Sequence, residues 1–271
     1  MFRTRVLTAA VLLPLLVGGI FFLPTGWWAA LLLPLLFASA REWAALAGFR
    51  RSGQWGFCLL ALLTGVAILL GVHFFDGAAI EQAAYWVSVL FWLVFVPLWL
   101  CKGWRVRQPL LLMITGWLLI VPTWLALVRL QEEPWILLAV LGVVWVADSA
   151  AYFAGRTFGR RKLAPSISPG KTWEGVAGAA VAVAVYHALV WHFGLRSLTF
   201  EMGVAAALLV ACLLPLSILG DLFESWIKRQ AGVKDSGTLL PGHGGVLDRI
   251  DALTSTLPLA ALVVPWLIER I

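Results

Sequence analysis

The sequence predicts an all-α, polytopic integral membrane protein of about nine transmembrane helices, with its amino terminus in the cytoplasm. Three observations carry this. Hydrophobic residues fill 62% of the 271 positions and charged residues only 13%, about half the charge of a soluble domain. The apolar residues fall in long runs near 20 residues, the length of a helix that crosses a hydrocarbon core. Lys and Arg fall almost wholly on one side once those runs are threaded through a bilayer. Spanning strands would need short alternating segments, which the chain lacks.

The runs lie at about 5–24, 26–48, 55–75, 84–101, 109–129, 134–155, 173–193, 203–223 and 252–269. Arg3 and Arg5 precede the first run as they would in a signal peptide, but no small-residue cleavage site follows and the apolar stretch continues through Trp28. It reads as an uncleaved first span. The second run contains Arg41 and Glu42, an adjacent pair that reads as a structural interface. The eighth run carries Pro215, which would kink it, and Gly220, which would allow close packing.

With the amino terminus inside, 17 of the 20 Lys and Arg fall in cytoplasmic segments, and only Arg129, Arg196 and Arg270 lie outside. The net charge of +6 is mostly this topology signal, with some attraction for anionic lipid. Nucleic acid is not an expected partner, because no basic helix or aromatic–basic module accompanies the charge. Cys58, Cys101 and Cys212 are isolated in apolar runs without metal or disulfide spacing. Of the 16 Trp, Trp27, Trp28, Trp55, Trp99, Trp104, Trp135 and Trp173 lie near span ends, as an interfacial belt requires.

No linker divides the chain, so residues 1–271 read as one membrane domain. Polarity is uneven within it: 1–130 reads as hydrophobic scaffold helices, and 134–271 as catalytic helices and cytoplasmic loops. Inverted-repeat transporters would instead show two similar halves.

The charged elements of the second half follow in order. Asp148 lies near the end of the sixth run, sharing a helix face with Tyr152 and Arg156. It reads either as a functional carboxylate or as a hydrogen-bond partner of a neighbouring helix. Gly155 and Gly159 would allow a break before Arg160, Arg161 and Lys162, a cluster that reads as snorkelling towards lipid phosphate. Pro169 and Gly170 deny regular helix before Lys171, and Thr172 could cap the seventh span. Backbone N–H groups at such a helix start can hold a phosphate, with Lys171 beside them as a point charge. A P-loop is excluded, because Pro165 replaces the first glycine of that motif.

The stretch 220–251 holds five of the 14 carboxylates: Asp221, Glu224, Asp235, Asp248 and Asp251. Asp221 and Glu224 are one helical turn apart, with Ser225 and Lys228 following. Gly237, Pro241, Gly242, Gly244 and Gly245 force a turn around His243, which could donate to a phosphate or transfer a proton. Asp248 and Asp251 then lead into the last span with Arg249 between them. Two helix ends, each with a carboxylate pair, thus flank a Gly-rich loop. Magnesium takes one or two carboxylates plus waters and phosphate oxygens, so the pattern suits a metal-bound nucleotide triphosphate. Salt bridging is the competing reading for Glu224 and Asp235.

From Ser225 through Lys228-Arg229, Lys234-Asp235, Gly237, Pro241-Gly-His243-Gly244-Gly245, Asp248-Arg249 and Asp251, the sequence resembles the signature of the phosphatidate cytidylyltransferases, the CDP-diacylglycerol synthases. Asp148 to Arg156 and Ser168 to Gly175 are similar to further segments of that family, although many members carry Lys where this chain has Gly170. The resemblance implies an enzyme that joins CTP and phosphatidate, giving CDP-diacylglycerol and pyrophosphate at a bacterial inner membrane, with the site facing the cytoplasm. Carried over by position, it implies Asp221 and Asp248 as metal ligands, with Asp251 and Glu224 in support. Lys171, Lys228, Arg229, Lys234 and Arg249 become candidates for triphosphate or lipid phosphate, while Asp148 and Ser225 would line the polar cavity with Gly244 and Gly245. It also implies Mg2+, a second cation such as K+, and a homodimer.

Overall fold

The computed structural model describes residues 2–75, 77–194, 200–239, 242 and 244–268. Its helices are α1 (Phe2–Phe22), α2 (Thr25–Leu46), α3 (Arg51–Phe75), α4 (Ala78–Leu90), α5 (Val96–Lys102), α6 (Pro109–Leu130), α7 (Pro134–Phe158), α8 (Trp173–Gly194), α9 (Phe200–Gln230) and α10 (Leu247–Ile268). A π-helical turn, Phe91–Phe95, joins α4 to α5 in one rod. Pro97 lies two residues beyond it; a proline ring clashes with the carbonyl four residues back, here that of Leu93 within the turn, and a widened turn relieves that clash. Among the described residues, eight helical rods are long and apolar enough to cross a membrane, and α1 contributes a shorter apolar stretch, Ala10–Phe22. The chain is therefore a helical, multi-pass membrane protein.

Several boundaries differ from the sequence expectation, and three of the extensions carry helix into the charged segments of the second half. α9 continues past the apolar run to Gln230, so Asp221, Glu224, Ser225 and Lys228 all sit on helix. α10 begins at Leu247, which places Asp248 and Asp251 in its first turns. α7 runs through Gly155 and ends at Phe158, before an extended Gly159. Backbone hydrogen bonds already close within a helix, so continuing one costs less near a membrane than exposing free peptide groups.

The segment between α7 and α8 holds a two-stranded antiparallel hairpin, β1 (Lys162–Ala164) and β2 (Ser168–Thr172), which the all-helical expectation did not include. Pro165, Pro169 and Gly170 exclude helix there. Thr172 caps α8 as expected: its Oγ1 accepts the Gly175 N–H at 3.1 Å. Glu174 accepts the backbone N–H groups of Arg160 and Arg161 at 3.0 and 3.1 Å, tying the exposed basic cluster to the start of α8.

α6 and α10 lie at the centre, flanked by α2. Trp28 and Trp43 of α2 donate their indole N–H groups to Leu127 O and Leu112 O of α6, at 2.9 and 2.8 Å. Trp27, Trp55, Trp104, Trp135 and Trp173 are exposed at helix ends, as a belt requires, but Trp28 and Trp99 are buried. Both therefore need internal acceptors, and Trp99 finds Trp104 O at 2.8 Å. α9 and α10 cross closely at Gly220. A Cβ on Gly220 would lie 2.5 Å from Asp251 O and 2.7 Å from Ser255 Oγ, so the two helices meet backbone to backbone there. Ser255 locks the contact by donating to Leu216 O at 2.7 Å.

Candidate active site

That crossing brings Asp221 of α9 beside Asp251 of α10, and the carboxylates of Asp221, Asp251 and Asp148 lie within electrostatic range of one another. Asp148 reaches the group from α7. Lys171, at the end of β2, meets Asp221 Oδ2 at 2.6 Å. The other oxygen of Asp221 accepts the Ser225 hydroxyl, one helical turn away, at 3.2 Å. Both partners of the Lys171–Asp221 pair remain partly open, at 23% and 34% side-chain exposure, so a ligand could reach them.

A deeper layer is centred on Lys228. Its ammonium group donates to Glu224 Oε2 and to Asp248 Oδ1, both at 2.6 Å. Glu224 is 2% exposed and Asp248 6%, so this is a buried triad in which one cation neutralises two carboxylates only in part. Asp248 Oδ2 accepts the backbone N–H groups of Ser236 and Gly245, each at 2.9 Å. Glu224 Oε1 is buried with no hydrogen-bond partner. Arg249 adds its charge on the side of Asp148.

Asp148, Lys171, Asp221, Glu224, Ser225, Lys228, Asp248, Arg249 and Asp251 are thus brought together by α7, the hairpin, α9 and α10. Gly244 adopts a left-handed φ of 84°, and a Cβ there would stand 2.8 Å from Asp248 Oδ2. Gly244 and Gly245 therefore fold closely over Asp248. Lys234 is exposed on the loop after α9. His243 lies outside the described residues.

Arg229 is placed elsewhere. Its guanidinium donates to Val233 O at 3.2 Å, and it lines a cleft of about 420 Å³ with Lys102, Arg105, Ile167 and Trp226. Trp226 falls on the flank of α9 turned away from Asp221, because residues five apart on a helix do not share a face. The charged run 228–229 therefore divides: Lys228 faces the carboxylates and Arg229 the cleft.

One residue of the site was read differently from sequence. Glu42 was expected to form an interface pair with Arg41, yet both its oxygens are spent on the Gly-rich loop. The signal was present, since an acidic residue in an apolar run is a functional candidate by default, but the adjacent Arg41 offered a simpler partner. Ser236, which accompanies Glu42, had no distinguishing pattern.

A cytidylyltransferase family model matches residues 3–267. The chain belongs to the cytidylyltransferase family. It is 40% identical over 272 residues to a phosphatidate cytidylyltransferase of Pseudomonas aeruginosa, covering 96% of each chain. A phosphatidate cytidylyltransferase of Haemophilus influenzae is 35% identical over 282 residues, covering 95% of this chain and 96% of its own. One from Brucella suis is 47% identical over 135 residues, 48% of each chain. As a cytidylyltransferase the chain is an enzyme.

Proposed function

We propose that the chain transfers the cytidylyl group of CTP to phosphatidate, forming CDP-diacylglycerol and pyrophosphate. The observation that carries the reading is the carboxylate and lysine cluster at the α9–α10 crossing, in a chain related over nearly its whole length to two proteins named for this reaction. A phosphate oxygen of phosphatidate attacks the α-phosphorus of CTP in line. The new P–O bond forms as the bond to the β-phosphate oxygen breaks, and pyrophosphate leaves. The nucleophile is already ionised, so no strong general base is required, and catalysis rests on positioning and electrostatics.

The donor set fits a hard divalent cation. Five carboxylates (Asp148, Asp221, Glu224, Asp248, Asp251) face three cations (Lys171, Lys228, Arg249), leaving negative charge to be balanced. Mg2+ takes one or two carboxylates and completes its shell with water and phosphate oxygens, so this set need not supply every ligand. The resemblance implies Asp221 and Asp248 as ligands of Mg2+ with Asp251 and Glu224 in support; because Asp248 already accepts from Lys228 and two backbone N–H groups, we propose that Asp221 and Asp251 would hold Mg2+, with Asp248 and Glu224 in support and a second cation such as K+ between the close carboxylates. When bound, Mg2+ supplies charge neutralisation on the phosphates and the departing pyrophosphate. Lys171 stands at the open edge of the cluster, where it can leave Asp221 to hold a phosphate group. Lys228 stays buried and keeps Asp248 in place. The excess of Lys and Arg in the segments on this side of the spans supports a site facing the cytoplasm of a bacterial inner membrane.

The test is turnover of purified protein with CTP, phosphatidate and Mg2+, using CTP labelled in the cytidine or in the γ-phosphate. Cytidine label in chloroform-soluble lipid supports the proposal. Label from the γ-phosphate in lipid would mean a CTP-dependent lipid kinase instead, and the proposal would be abandoned.

A further inference from the structure

Glu42 lies in α2, in the half of the chain that reads as scaffold, yet it grips the loop that leads into α10. Its Oε1 accepts the Val246 N–H at 2.9 Å, and its Oε2 accepts the Leu247 N–H at 2.8 Å and the Ser236 hydroxyl at 2.9 Å. The residue is 9% exposed. Burying a carboxylate is costly unless its oxygens are satisfied, and here three N–H and O–H donors do so. Leu247 opens α10, so two of the donors are amide groups at that helix start, where the helix dipole also favours negative charge.

The grip extends to Asp248 by a second path. Ser236 Oγ, while donating to Glu42, accepts the Asp248 N–H at 3.3 Å, and the Ser236 N–H donates to Asp248 Oδ2 at 2.9 Å. The loop glycines are shaped around the same carboxylate. A Cβ on Gly237 would lie 2.5 Å from Glu42 Oε1, and one on Gly245 would collide with Glu42 Oε2 and Ser236 Oγ. The space those glycines leave is the space the Glu42 head group fills.

We infer that Glu42 is a positioning residue for cytidylyl transfer: it holds Ser236, Val246 and the start of α10 so that Asp248, and Lys228 through it, stand in register with Asp221 and Asp251. The inference rests on the proposed reaction for its kinetic consequence but not for its structural one. A carboxylate suits the position because it only accepts hydrogen bonds, and three donors converge on it. Glu42→Gln turns an N–H2 group towards donors and must lose at least one of these bonds. Glu42→Asp keeps the charge and the acceptors but is one methylene short.

The test compares wild type, Glu42→Gln and Glu42→Asp by hydrogen exchange of segment 235–248 and by kcat and KM. Glu42→Gln should speed exchange at Ser236, Val246 and Leu247 and lower kcat roughly tenfold to a hundredfold per folded molecule, the scale of loss from an ångström of misplacement. Glu42→Asp should recover part of both. Unchanged exchange in Glu42→Gln would overturn the grip itself. Faster exchange with wild-type kcat, or a loss of kcat accounted for by unfolded protein, would leave Glu42 a structural residue and overturn the positioning role. If wild type transfers no cytidylyl group, the proposed reaction fails, while the exchange result still decides whether Glu42 holds the loop.

Discussion

Lys171 and Asp221 meet at 2.6 Å, joining the hairpin before α8 to the interior of α9 across fifty residues of sequence. The pair stands at the open edge of a cluster whose other ion pairs are buried. Exposure separates the two kinds of contact: partly open charges can exchange partners with a ligand, and buried ones hold the fold.

For the open pair, function should suffer more than stability. Partly exposed ion pairs contribute about 0–1 kcal/mol. Lys171→Ala should therefore shift unfolding only slightly while lowering turnover about a hundredfold or more, the scale of a lost electrostatic stabiliser. Thermal unfolding in detergent and turnover on one sample decide it; equal losses in both would assign Lys171 to the fold.

The buried triad should behave the other way. Lys228→Met leaves Glu224 and Asp248 facing each other without their shared cation, at a cost of about 3–5 kcal/mol. Adding Glu224→Gln should restore part of that stability, since one buried charge is removed. A Lys228→Met protein as stable as wild type would mean the triad does not hold the α9–α10 contact.

At the helix crossing, Gly220→Ala would place a methyl group 2.5 Å from Asp251 O. Overpacking of this kind costs about 1–3 kcal/mol, and the forced separation should move Asp221 away from Asp251. Turnover per folded molecule should fall further than the loss of stability alone explains; wild-type kinetics in Gly220→Ala would show that the crossing tolerates spreading.

Metal removal provides a test of the donor set. EDTA should stop cytidylyl transfer, and Mg2+ should restore it in wild type but not in Asp221→Asn. Full activity in chelator would remove the metal from the proposed mechanism.

Much of this was legible because hydrophobicity and charge are local properties. Long apolar runs set the spans, and the motif from Ser225 to Asp251 marked the chemistry before any contact was known. The extensions of α9 and α10 into charged sequence were less legible, because the expected boundary followed apolarity, whereas the helix follows closure of its backbone hydrogen bonds. The hairpin at 162–172 was missed because three- and five-residue strands leave little periodicity to read.

By itself, the sequence determined that the chain crosses a membrane many times as helices, that its polar groups crowd into the second half, and that 220–251 bears the features of a cytidylyltransferase. Only the tertiary structure decided which charges meet. Lys228 and Arg229 are neighbours in sequence yet face different surfaces, because successive helical residues point about 100° apart. Glu42 and Leu247 are 205 positions apart yet share a hydrogen bond, because α2 packs beside the start of α10 and a buried carboxylate must find donors wherever the fold brings them.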